Sequence, residues 1–136
     1  MPKLEGANDP AATRPYYRLL GLRTAPGEPE GQSKVVLEPR VELENSRGEV
    51  HGGVIASLID AAMGVAARST LTPGDGATTV SLTVNYVAPG RGTLTARSRV
   101  VRKGRTLASA EARVTDANEQ VVAHAVGTMR IIARRA

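Results

Sequence analysis

Residues 45–60 read NSRGEVHGGVIASLID, and the helical pattern that starts at Gly52 runs on to about Ser69. Across Val54 to Ala67 the only ionisable residue is Asp60. A helix that is apolar nearly all round is buried on most sides, so this segment is expected to form the centre of the fold with other elements packed against it. Val54, Leu58, Ile59, Ala62 and Val65 read as core. Gly53, Ala56, Ser57, Gly64 and Ala67 recur at spacings of three and four and form a stripe with almost no side-chain bulk. Glycines in a helix interior cost about 1 kcal/mol each relative to Ala, which a close neighbour would offset.

On the C-terminal side, TPGDG (72–76) ends the helix with turn residues. TTVSLTVNYVA, TLTARSRVVR, TLASAEARVT and QVVAHAVGTMRII then follow, broken only by PGRG, KGR and DANE. Their alternation predicts four antiparallel strands joined by hairpins, with Val80, Leu82, Val84 and Tyr86 sharing one face of the first. On the N-terminal side, SKVVLEPRVELE (33–44) reads as an edge or bent strand interrupted by Pro39. PYYRLLGL (15–22) reads as a short helix with Pro15 at its start. One long helix on a strongly curved antiparallel sheet, an α+β domain, is the simplest way to bury residues 52–69.

At 136 residues the chain is long enough for one core and too short for two ordinary ones, so residues 14–136 are taken as one domain and 1–13 as a flexible polar lead-in. Three tyrosines with no Phe or Trp leave the core to Ala, Val, Leu and Ile and provide no stacking platform for single-stranded nucleic acid. With no cysteine, disulfides, thiolate metal sites and a cysteine nucleophile are excluded, and two histidines leave little for zinc. The lead-in has no apolar signal core, and no stretch reaches the roughly 18 apolar residues that span a bilayer, so a soluble cytoplasmic protein without a membrane partner is expected. Net charge is +5, but the arginines are scattered. That distribution suits a small polyanionic ligand better than a nucleic-acid surface.

The chemistry concentrates on the long helix. Its first N–H groups lack intrahelical acceptors and sit at the positive end of the macrodipole, so His51, Gly52 and Gly53 form a natural oxyanion site. Backbone donors of this kind are worth about 2.7–4 kcal/mol where a developing oxyanion meets them. His51 alone is weak evidence, because a lone histidine before a helix is more often an N-terminal cap or a satisfied polar residue. Asp60 needs a partner, because an unpaired buried carboxylate is costly; it is either a structural acid or a general base or nucleophile. Gly52 and Asp60 lie eight residues apart, roughly 12 Å along one helix axis. If both serve one reacting carbon, the carboxylate comes from a second copy of the chain, and the protein is at least a dimer.

Asn45, Gly48, His51-Gly52-Gly53 and Asp60, followed by the strand TTVSLTVNYVAP, resemble the hotdog-fold acyl-CoA thioesterases of the phenylacetate-degradation type. The resemblance runs from about Tyr16 to Ile132. It implies an antiparallel sheet wrapped round the long helix, a homodimer or homotetramer, and hydrolysis of an acyl or aryl thioester of coenzyme A without a further cofactor or metal. By the same resemblance the Gly52 N–H polarises the thioester carbonyl, His51 fixes the loop, and Gly53 contacts substrate. Asp60 of the other subunit acts as base or nucleophile, and Asn45 orients thioester or water. Thr79 is the assisting hydroxyl, with Thr78 and Ser81 close in register. Arg102, Lys103 and Arg105 are candidates for the coenzyme A phosphates, or else a solvated basic turn. Three rivals stay open: a non-catalytic acyl-CoA-binding protein, a hotdog dehydratase, and a structural dimer in which Asp60 caps its neighbour.

Overall fold

A computed structural model describes residues 14–134. The lead-in expected at 1–13 lies outside the described residues. Helix α1 (Pro15–Leu20) begins with proline, whose missing N–H costs nothing at a first turn, and stops at Gly21, where φ of 72° allows the left-handed cap. Two short strands follow, β1 (Arg23–Thr24) and β2 (Gln32–Leu37). A single 3₁₀ turn (Val41–Leu43) leads into α2 (Gly52–Arg68), and β3 (Gly76–Tyr86), β4 (Leu94–Lys103), β5 (Leu107–Thr115) and β6 (Val121–Ile132) complete the chain.

The six strands form one antiparallel sheet in the order β1-β2-β4-β5-β6-β3. α2 packs across β2 through β6, which is the hotdog arrangement. Its buried side carries Leu58, Ile59, Ala61, Ala62 and Met63, all without exposed surface. Beside Val35, Leu37, Leu94, Val114 and Met129, the sheet buries a run of alanines: Ala96, Ala108, Ala110, Ala112, Ala123 and Ala125. Small inward side chains let the helix lie close to the strands, and Gly127 carries this furthest. A Cβ there would meet Met63 Sδ at 2.9 Å and the Ser81 carbonyl at 3.1 Å. Ser33, buried on β2, donates to the Ala62 carbonyl at 2.5 Å and ties helix to sheet.

Four expectations need correction. PGRG is not a hairpin: β3 pairs with β6 at the sheet edge, and the chain crosses from there to β4, between β2 and β5. Strand β2 ends at Leu37, because Pro39 offers no N–H to a ladder and the chain then turns away. Val80 does not share a face with Leu82 and Val84. A bulge between Thr79 and Ser81 inserts it as an extra residue, leaving it 60% exposed while Leu82 and Val84 pack on the core. Ala67, assigned to the small stripe, is core. Among the described residues no helix is long and apolar enough to cross a membrane.

Candidate active site

Two ends of one stripe along α2 are chemically equipped. At the first, His51 is the N-cap, and its Nδ1 accepts the Gly53 N–H at 2.9 Å. Its carbonyl receives the Val54 and Ile55 N–H groups at 2.9 and 3.1 Å. Gly53 N–H is thereby spoken for by the cap. Gly52 N–H meets no acceptor among the described residues. Tyr86 on β3 braces this glycine: its hydroxyl donates to the Gly52 carbonyl at 2.7 Å, and its ring lies 3.4 Å from where a Cβ would stand. Tyr86 escaped the sequence reading, which used it only as a strand residue. No local pattern links positions 34 apart.

The loop before His51 is organised by Asn45. Its Oδ1 accepts the N–H groups of Arg47 at 2.8 Å and Glu49 at 3.2 Å, an Asx-type turn closed by Gly48 at φ of 73°. The Asn45 amide nitrogen faces Glu49 Oε2 at 3.5 Å. In the protomer, then, Asn45 holds its own loop. Glu49, a second residue that the sequence did not single out, anchors the loop from outside through Arg91 at 3.1 Å and Arg47 at 3.5 Å.

At the other end, Asp60 is half-buried on α2 and accepts a hydrogen bond from Thr79 Oγ1 at 2.5 Å. Of the three hydroxyl candidates, Thr79 is the one that meets it. Gly53, Ala56, Ser57 and Asp60 stay partly or fully exposed, so the sheet leaves this side of α2 open. Between the two ends, Ser57 Oγ donates to the Gly53 carbonyl at 2.9 Å and stands 2.8 Å from the Tyr16 hydroxyl of α1. The end of β4 and the turn after it carry the basic candidates. Lys103 Nζ donates to the Thr70 carbonyl just past the end of α2 at 2.8 Å, while Arg102 and Arg105 are exposed. This stretch therefore offers two uncommitted cations rather than three.

A hollow of about 490 Å³ lies on the sheet's other face, among Arg97, Arg99, Glu111, Arg113 and His124. None of the α2 residues above lines it. Unlike that charged trough, the α2 stripe combines an unpaired N–H with a positioned carboxylate.

The thioesterase superfamily model matches residues 47–123, more than half of the chain. The medium/long-chain acyl-CoA thioesterase YigI of Escherichia coli is 31% identical over 132 residues, covering 86% of this chain and 85% of that protein. The structure of PaaI, from the phenylacetic acid degradation operon of E. coli, superposes with a TM-score of 0.82 at 24% identity over 90% of this chain and 87% of that one. A Streptococcus mutans protein solved with acetyl CoA bound gives a TM-score of 0.75 at 32% identity, over 85% of this chain and 91% of that one. The chain belongs to the thioesterase superfamily, as a hotdog-fold thioester hydrolase.

Proposed function

We propose that the protein hydrolyses acyl thioesters of coenzyme A at sites each shared by two copies of the chain. The observation that carries this reading is that Asp60, held by Thr79, stands two helical turns from the unpaired Gly52 N–H on one open stripe. Those turns span roughly 12 Å, too far for one carbonyl. A second copy packed against the stripe would bring its own Gly52 opposite Asp60. Edge strand β3 supports association: it presents 11 residues of ladder on one unpaired side, with Val80 and Tyr86, and Val87 just past its end, more than half exposed. Long unprotected edges of this kind invite pairing.

In such a site the thioester carbonyl oxygen accepts the Gly52 N–H of one copy, at the positive end of α2. His51 and Tyr86 hold that peptide in place. Asp60 of the other copy takes a proton from water as the water oxygen attacks the carbonyl carbon. Collapse of the tetrahedral intermediate breaks the C–S bond, and the departing thiolate takes up the proton held by Asp60, giving free coenzyme A and a carboxylic acid and restoring the carboxylate. In the alternative sequence, Asp60 attacks first and forms an anhydride that water opens. Thr79 occupies one carboxylate oxygen and leaves the other toward the reaction centre. Arg102 and Arg105 attract the nucleotide phosphates. Likeness to YigI and to a protein crystallised with acetyl CoA supports this substrate class.

Release of thiol from an acyl-CoA panel, read with a disulfide dye, tests the proposal. Wild-type protein turns over at least one member. Asp60→Asn lowers kcat about 100-fold or more, the range of a lost general base, while acyl-CoA binding survives. Binding without turnover anywhere in the panel would instead identify a binding module.

A further inference from the structure

Beyond Asp60, the same side of α2 carries Gly64, which is buried, and then the half-buried Arg68, two turns past Asp60. The Arg68 guanidinium folds back on the helix: its Nη1 lies 2.9 Å from where a Cβ on Gly64 would sit, so Gly64 gives it a berth. Arg14, just before α1, comes alongside, with its guanidinium 5.7 Å from the centre of the Tyr17 ring. Arg14 Nε and Arg68 Nη2 are both buried and have no hydrogen-bond partner. Neither arginine forms an ion pair with a carboxylate among the described residues. Burial, and then the neighbouring Arg68 charge, hold the Arg14 guanidinium below the usual arginine range. Neighbouring cations that each bury an unpartnered nitrogen are costly unless an anion joins them. Planar guanidinium forks match a carboxylate in particular.

We propose that Arg14 and Arg68 form a subsite for a carboxylate at the far end of the acyl group. The preferred substrates are then coenzyme A monothioesters of dicarboxylic acids. The identity of the bearer rests on the hydrolase reading; the anion site itself does not. Arg68 lies roughly 12 Å along the helix from Asp60, so the carboxylate belongs at the end of a chain of medium length and not next to the thioester. The coenzyme A phosphates have separate cations in Arg102 and Arg105, at the exposed end of β4 and on the turn after it.

The test compares kcat/KM for succinyl-, adipyl- and suberyl-CoA with butyryl-, hexanoyl- and octanoyl-CoA, and measures binding of free suberate and octanoate by calorimetry. Wild-type protein is expected to favour adipyl- or suberyl-CoA over its unsubstituted counterpart by at least tenfold and to bind suberate more tightly than octanoate. Arg68→Met removes that preference. Gly64→Ala weakens it by displacing the guanidinium while keeping both charges. Turnover of octanoyl-CoA with no preference at any length, and no suberate binding, overturns the subsite and leaves the hydrolase standing. Suberate binding that depends on Arg68, without turnover of any thioester, keeps the subsite and removes the hydrolase reading. If Arg68→Met impairs octanoyl-CoA but not octanoyl-pantetheine, the arginines serve the nucleotide phosphates and the proposal is wrong.

Discussion

Thr79 donates a hydrogen bond from its hydroxyl to Asp60 Oδ1, so the orientation of the carboxylate depends on one side chain from another element. A hydrogen bond to a charged group contributes about 1.5–3 kcal/mol. If that energy positions the base, Thr79→Val lowers kcat about tenfold with little change in KM, and Thr79→Ser restores it. Steady-state kinetics on the best thioester of the panel measures both, and an unchanged kcat in the valine variant would contradict the assignment. The Asp60 site was legible in sequence because a lone acid in an apolar helix demands a partner. The partner was not, since Thr78, Thr79 and Ser81 all lie near it in the chain. The bulge at Val80 breaks the strand alternation that would otherwise rank them. Tyr86 and Glu49 were missed for a related reason: their value lies in contacts with Gly52 and Arg91, far away in sequence.

At the scale of elements, α2 sits against a sheet whose strands β4, β5 and β6 contribute six buried alanines, and the approach is tightest at Gly127. An added methyl there meets a backbone carbonyl as well as the flexible Met63, so the strand cannot relieve it by a rotamer change alone. Gly127→Ala is expected to destabilise the fold by about 1–3 kcal/mol, the usual cost of overpacking. Urea unfolding followed by circular dichroism checks this, and a stability equal to wild type would show that β6 yields more readily than its contacts imply. Helix and strand extents were readable from periods of 3.6 and 2, and α2 begins and nearly ends where its pattern does. Strand adjacency is not a local property. PGRG therefore resembled a hairpin although β3 pairs with β6, and β1, with two residues, was too short to show a period.

At the scale of the whole molecule, the open α2 stripe and the bare β3 edge lie where a second copy would complete both. The overall shape followed from one apolar helix that several strands had to cover. The proposed pairing of copies rests, in the sequence, only on the Gly52-to-Asp60 distance along the helix. Mixing two inactive variants tests that pairing. Gly52→Pro deletes the donor N–H itself, and first-turn proline is tolerated. His51 at φ of −58° and ψ of 139° already has the conformation that a following proline requires. Gly52→Pro and Asp60→Asn are each expected to be nearly inactive. Unfolded together in equal amounts and refolded, they form mixed dimers in which one site holds an intact Gly52 and an intact Asp60. Random pairing then restores about a quarter of wild-type thioesterase activity. No recovery in a mixture shown to contain mixed dimers would place both groups in one protomer and contradict the shared site.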